Sequence, residues 1–353
     1  MISPVELLRQ RCLVEQVSDE EGLAKLAAAG QVTVYAGFDP TARSLHVGNF
    51  IPIMMLAHLQ RAGLRPIAVV GGATGMIGDP SGRSSERNFL SEDTLGENQR
   101  AIHAQLARFL DFSNDRALLV NNLDWTAGIS YLAWLRDVGK HFSVNAMVAK
   151  ESVRRRLEER DQGISYTEFS YMLLQSYDFH VLNQRYDCRL QVGGNDQWGN
   201  ITGGIDLIRR KSGGEAFAVT APLLLAANGE KFGKSAGNSV WLDPEMTSPF
   251  AFYQYFVRTD DRDVERFLRM FTFVPVDEIV QICAEHEQKK EARLAQKRLA
   301  REITATVHGA EAVAAAEKAS EVLYGGEVSG LSDAVLGQIF ADVPSLQRSR
   351  AEL

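Results

Sequence analysis

The sequence predicts an α/β protein, a doubly wound parallel sheet followed by an all-α domain. Three stretches carry this prediction. The β-branched run Val32-Thr33-Val34-Tyr35 leads through a glycine-bearing turn into Phe50 to Arg61, where apolar residues recur at helical spacing. Pro66 to Gly72 (PIAVVGG) is wholly apolar and bounded by turn residues, as expected of a parallel strand covered on both faces. Beyond Pro249 few strand signals remain and helix follows helix. An alternating sheet of this kind binds its ligands at the carboxyl ends of its strands.

Taken in order, residues 3–29 read as two scaffold helices, with Ser18 and Glu21 offering a capping box. The turn from Gly37 to Asn49 (GFDPTARSLHVGN) then joins the first strand to its helix, with Pro52 in the first helical turn and Gly63 ending it. A helix start presents unpaired N–H groups and the positive end of its dipole, so a triphosphate can settle there. Gly37 and Gly48 would let a base or phosphate approach the backbone closely, and Thr41 and His46 add donors. Further strands are expected at 117–120 and 188–192, and helices near 96–111, 128–139 and 168–180. Helices follow at 249–257, 262–270, 276–287 and 287–307, which sets a domain boundary near 246.

Composition narrows the class. The 353 residues, 39.0 kDa, suffice for two domains, and 38 basic against 45 acidic residues give a net charge of −7. Such a chain meets RNA only through local basic patches; Lys289, Lys290, Arg293, Lys297, Arg298 and Arg301, against the single acid Glu291, are the best candidate. The run Arg154-Arg155-Arg156 reads as a solvated helix face, with tRNA contact as the alternative. Cys12, Cys188 and Cys283 give neither a disulfide framework nor a zinc site, and no apolar segment reaches the roughly 18 residues of a membrane span or forms a secretory leader, so a cytoplasmic protein is expected. Two other phosphate motifs fail: 72–78 lacks GxGxxG spacing, and GEKFGKS from Gly229 is one residue short of a P-loop.

His46-Val47-Gly48-Asn49 at the first strand-helix junction, Lys231-Phe232-Gly233-Lys234-Ser235 far downstream, GGATGMIGDPSG at 71–82 and GGNDQWGNI at 193–201 together resemble the class I aminoacyl-tRNA synthetases, the bacterial tyrosyl branch above all. The resemblance runs from about the N-terminus to about residue 320. It implies a Rossmann-like nucleotide-binding domain at 1–245, with a connective insertion near 140–170 that contributes to a homodimer interface, a helical tRNA domain at 246–325, and a linker at 326–353 towards a missing C-terminal RNA-binding domain. With that domain absent, adenylate formation is expected to survive and tRNA charging to be weak.

Activating an amino acid with ATP requires attack of its carboxylate on the α-phosphate. The nucleophile is already ionised, so positioning and electrostatic stabilisation are what the protein must supply. The resemblance gives Thr41, His46 and Asn49 on one side and Lys231 and Lys234 on a mobile loop on the other, assisted by Arg83 and Arg87 at the pyrophosphate. It gives Tyr35 and Asp178 to the tyrosine phenol, Asp79, Tyr171 and Gln175 to its α-ammonium group, and Asp39 and Gln191 to a supporting ring. Tyr171, Gln175 and Asp178, spaced i, i+4, i+7, share one helix face. Gly194 and Asp196 would hold the ribose, with Gln197 near the reacting carboxylate; Gly37, Gly48, Asn49, His46 and the two lysines complete the ATP contacts. Mg2+ is expected with ATP, held by phosphates and water. One departure is Asn49, where many relatives carry His: an amide donates but cannot carry charge. Asn also occurs in the sister tryptophanyl enzymes, which stay as the alternative, beside a synthetase-derived RNA-binding protein without catalysis.

Overall fold

The computed structural model describes residues 3–79, 92–150, 153–154, 157, 163–224, 232–235 and 238–323. The chain divides into two compact units, Met1–Leu225 and Ala226–Leu353. The division falls before the boundary near 246 expected from the run of successive helices; Phe232 and Gly233 are tied to Tyr255, Phe267 and Phe271 of the helices that follow.

The first unit is built on β1 (Gln16–Val17), β2 (Thr33–Phe38), β3 (Arg65–Val70), β4 (Leu118–Asn121), β5 (Cys188–Gly194) and β6 (Phe217–Ala221), in the spatial order β1-β6-β5-β2-β3-β4. Only β1 runs antiparallel, against β6. The chain steps outward from β2 to β3 and β4, then crosses back to lay β5 on the other side of β2. The strand order therefore reverses between β2 and β5, where a doubly wound sheet opens its ligand crevice.

β1 and β6 were not foreseen. The former is two residues long, and its side chains give no periodic signal; its hydrogen bonds are what define it, Glu15 N donating to Thr220 O at 2.6 Å and Ser18 N to Ala218 O at 3.0 Å. The same pairing removes the expected capping box: Ser18 Oγ accepts from Ala218 N at 2.9 Å, and Asp19 caps the helix Glu20–Ala29 instead, accepting from Gly22 N at 2.9 Å. A carboxylate caps as well as a hydroxyl and adds a negative charge at the positive end of the helix dipole.

Helix Phe50–Arg61 is buried along nearly its whole length, with Ile53, Met55, Leu56 and Leu59 fully enclosed. It ends as predicted, with Gly63 at φ +98° and the Leu64 N–H donating to Leu59 O at 3.0 Å. On the other face, helix Tyr166–Tyr186 starts at Ser165, whose hydroxyl accepts from Glu168 N, and stops at Asp187 in the left-handed conformation. It packs against helix Trp198–Ser212 through Gly203 and Gly204, where an added Cβ would stand 2.7 Å from Ser176 Oγ and 2.9 Å from Phe179 Cδ1. Phe179 in turn meets the Tyr35 ring edge-on at 5.1 Å, in a core that includes Ile67, Val69 and Trp125.

In the second unit the hairpin β7 (Lys234–Ser235) and β8 (Asn238–Ser239) precedes helices Pro249–Val257, Asp261–Phe271, Val276–Gln288, Leu294–His308 and Ala310–Leu323. The expected single helix over 287–307 is broken: Arg293 adopts φ +51°, and its guanidinium donates to Val257 O at 2.8 Å and Thr259 O at 2.7 Å. Its basic face is also largely cancelled. Lys290 pairs with Glu287 at 3.0 Å, Arg298 with Glu278 at 2.8 Å and Glu302 at 2.7 Å, and Arg301 with Glu317 at 2.7 Å.

Candidate active site

The expected residues of the first unit collect at the carboxyl ends of the parallel strands. β2 delivers Tyr35, Gly37 and Asp39; β3 runs into the glycine turn that leads to Asp79; β5 delivers Gln191, Gly194, Asp196 and Gln197. Tyr35 and Gln191 are register partners on adjacent strands and so share one face of the sheet.

The floor is apolar and closed. Tyr35 is 1 % exposed, Gln191 2 % and Asp178 4 %. The Tyr35 hydroxyl and Gln191 Oε1 have no hydrogen-bond partner among the described residues, a costly state unless a ligand supplies one. Asp178 accepts from Trp125 Nε1 at 2.8 Å through Oδ1 and from Asn122 Nδ2 at 2.9 Å through Oδ2. Each oxygen keeps a lone pair for a further donor. Burial pushes the Asp178 carboxyl up to about 7, against the opposing pull of the Asn122 and Trp125 hydrogen bonds. Burial, and next the Asp178 charge, also hold the Tyr35 phenol well above its usual value, so it stays a neutral donor.

Sequence reading missed the partners that orient this carboxylate. Asn122 also donates to Thr74 Oγ1 at 3.0 Å and accepts from Ala73 N at 2.7 Å, and Thr74 Oγ1 donates to Asp39 Oδ1 at 3.3 Å. One chain thus joins Asp178, Asn122, Thr74 and Asp39. The available signal was the polar, aromatic Asn121-Asn122-Leu123-Asp124-Trp125 stretch at the end of β4.

Nearer the rim, Gln197 Nε2 donates to Asp79 Oδ2 at 2.6 Å, while Asn200 Nδ2 donates to Gln197 Oε1 at 3.2 Å. Burial, and then the charge of Asp79, raise the Asp196 carboxyl above its usual range. Two carboxylates with one amide between them suit an ammonium group beside a carboxylate. Tyr171 is buried and Gln175 half-buried on the helix face that carries Asp178. Asn195 Oδ1 accepts from Gln16 Nε2 at 2.9 Å and Thr220 Oγ1 at 3.0 Å, so the unforeseen edge strand braces the loop that holds Asp196.

The turn after β2 is tighter than a bare donor loop. His46 Nδ1 accepts from Gly48 N at 3.0 Å, and Asn49 Oδ1 accepts from His46 N at 3.0 Å, a reciprocal cap on the short helix Val47–Asn49. With Nδ1 an acceptor, the neutral ring presents Nε2–H as its donor. The Asn49 amide oxygen is thereby committed to the backbone, leaving its NH2 for a ligand. Gly48 is required for a reason not read from sequence: a Cβ there would lie 2.6 Å from His46 Cε1. Gly37 lies open, with nothing within 4 Å of an added Cβ. From helix Glu92–Leu106, Asn98 Nδ2 donates to Pro40 O at 2.9 Å and Gln105 Oε1 accepts from Leu45 N at 2.8 Å, clamping both ends of the stretch that carries Thr41. Neither residue was foreseen.

Arg83, Arg87 and Lys231 lie outside the described residues, and Lys234 is described in its backbone alone, opposite Ser239 in the hairpin. Gly233, between the two lysines, is held at φ +90° with its N–H donating to Tyr255 Oη at 2.8 Å and its carbonyl accepting from Val240 N at 2.9 Å.

Residues 27–325 match the family described as tRNA synthetases class I (W and Y). The chain is 53% identical over 352 residues to a tyrosine–tRNA ligase of Rhodopirellula baltica, covering 99% of this chain and 80% of the relative. It is 52% identical over 341 residues to that of Bacillus caldotenax, covering 96% and 81%. Among solved structures, a C-terminally truncated mitochondrial tyrosyl-tRNA synthetase of Aspergillus nidulans superposes with TM-score 0.82 at 34% identity, covering 92% of this chain and 94% of that one. A tryptophanyl-tRNA synthetase of Encephalitozoon cuniculi shares the fold, with TM-score 0.63 at 14% identity over 96% of this chain and 91% of that one.

Proposed function

The chain belongs to the class I (W and Y) tRNA synthetases and is a tyrosine–tRNA ligase, and from that premise we propose how its residues divide the work. ATP is its co-substrate; a tyrosyl-adenylate forms as pyrophosphate leaves, and its acyl group passes to the terminal ribose of tRNA as AMP leaves. The observation that carries the tyrosine assignment is the buried Asp178 carboxylate beside a Tyr35 hydroxyl that lacks a partner. A phenol donates to the first and accepts from the second; phenylalanine would leave both unsatisfied, and the synthetase family is the standing example of that discrimination.

Asp79, Tyr171 and Gln175 take the α-ammonium group, and Gln197, held by Asp79, the α-carboxylate. Gly194 and Asp196 take the ribose, while Asp39 and Gln191 support the floor. Gly37 and Gly48 let the nucleotide approach the backbone. Thr41, the Nε2–H of His46 and the Asn49 amide stabilise charge on the reacting phosphates, as do Lys231, Lys234, Arg83 and Arg87. No proton needs to leave the attacking carboxylate, so these groups act by position and charge. Mg2+ enters with ATP, held by phosphate oxygens and water.

Among the described residues no helix is long and apolar enough to cross a membrane, and we place the enzyme in the cytoplasm. Lys289 and Lys297 carry no carboxylate partner among the described residues and keep that helix junction open to RNA phosphate. A second copy of the chain covers the apolar surface of 131–166, as argued below.

The test is exchange of labelled pyrophosphate into ATP, which tyrosine should support. Exchange with tryptophan but not tyrosine would assign the chain to the sister enzyme. Lys234→Ala should abolish exchange while RNA affinity stays unchanged; exchange at the unsubstituted rate would remove the lysine loop from the mechanism.

A further inference from the structure

We propose that Phe232, the one apolar side chain of the Lys231–Ser235 motif, is a positioning residue that locks this loop to the helical unit and thereby orients the lysines on either side; the inference rests on the role given to those lysines above. The Phe232 ring stacks on Phe271 with centroids 5.1 Å apart and planes 8° from parallel. It lies 4.7 Å from the ring of Phe267 and 5.9 Å from that of Tyr255. Phe267 and Phe271 are both buried. An aromatic ring has no hydrogen bond to offer a phosphate, so its presence between groups that do asks for another reason. The socket provides one.

A second contact, of a different kind, fixes the next residue. Tyr255 Oη accepts from Gly233 N at 2.8 Å, and Gly233 O accepts from Val240 N at 2.9 Å, which closes the hairpin at its base. With the Phe232 ring and the Gly233 amide and carbonyl all held, the φ of +90° at Gly233 is a braced bend. Phe232 and Gly233 are therefore tied to the socket. The backbone between the two lysines is held by helix Asp261–Phe271 and by Tyr255 of helix Pro249–Val257. Misplacing a charged group by an ångström costs turnover, whereas tyrosine binding depends on the other unit.

The experiment measures tyrosine-dependent pyrophosphate exchange by the full chain. Phe232→Ala should lower kcat by roughly ten- to a hundredfold with the tyrosine KM unchanged, and Phe232→Met, which refills the socket with a flexible apolar side chain, should recover most of it. Tyr255→Phe keeps the ring and removes only the acceptor of the Gly233 amide. It should lower kcat several-fold at an unchanged melting temperature, and it decides the matter if Phe232→Ala does not fold. An unchanged kcat in the folded Phe232→Ala protein, or in Tyr255→Phe if that protein does not fold, overturns the inference; so does failure of the Met variant to recover. Lys234→Ala run in parallel separates the two levels. If it is inactive while Phe232→Ala turns over normally, only the positioning role falls; if it is itself active, the reading of the loop falls.

Discussion

In the pocket we propose for tyrosine, Asp178 is the acceptor, and this makes binding sensitive to pH. Its carboxyl titrates near 7 because burial outweighs two hydrogen bonds that favour the ionised form, and Asp39 adds to the rise. The phenol needs an acceptor, which is the carboxylate. Tyrosine affinity should therefore weaken by about tenfold per pH unit below that value, and Asp178→Asn should bind weakly with no such slope. Equilibrium binding between pH 5.5 and 8.5 reads this out, and a flat profile for the unsubstituted chain would contradict it. Stability moves in the opposite direction. A carboxyl whose pKa is higher folded than unfolded favours the folded state below the unfolded value of 3.8, and this contribution is lost as pH rises through about 7. The melting temperature of the unliganded protein should thus gain over that window in Asp178→Asn relative to the parent. Asn122→Ala removes one donor from Asp178 and the acceptor of Ala73 N together. Stranding a buried polar group costs about 1–3 kcal/mol, and the variant should lose stability in that range and shift the tyrosine pH profile upward.

Between elements, close approach is bought with glycine. Helix Trp198–Ser212 meets helix Tyr166–Tyr186 where Gly204 faces Phe179, and Phe179 is the ring against which Tyr35 leans. Gly204→Ala should destabilise the fold by about 1–3 kcal/mol through overpacking and raise the tyrosine KM as Tyr35 shifts. Gly128→Ala, where an added Cβ meets nothing within 4 Å, should leave both unchanged. Equal melting temperatures for the two variants would show that the helices can part without penalty. At the nucleotide turn the same logic gives a different readout. Gly48→Ala drives a Cβ into His46 and breaks the bond from Gly48 N to Nδ1, so kcat for exchange should fall while tyrosine affinity holds. A loss of tyrosine affinity instead would mean that the turn supports the wrong end of the pocket.

At the scale of the whole molecule, what was legible in the sequence was what is local. The apolar runs of β2 and β3 and the period of helix Phe50–Arg61 each carry their own signal, and so the fold class and the placing of the site at the strands' carboxyl ends follow from a few short stretches. Contacts made across the chain were not legible. Asn122 finds Asp178 from 56 residues away, Asn98 reaches Pro40 across 58, and β1 exists only because β6 lies beside it. The ion pairs of the basic stretch were illegible for the same reason, since Glu317 and Glu278 arrive from other helices to pair its arginines. Long-range pairing also decides the surface of the connective region. Trp134, Phe142 and Phe169 turn inward on Met147, Met172 and Leu173. The outward side is left apolar: Leu132 is 77 % exposed, Tyr131 62 %, Val144 62 % and Tyr166 66 %. On these exposed side chains we place a second copy of the chain, which would offer the same surface by two-fold symmetry. Leu132→Asp should convert a dimer to a monomer in sedimentation at micromolar concentration without changing the melting temperature measured at high dilution. A parent chain that sediments as a monomer at every concentration would leave that surface without the role given to it here.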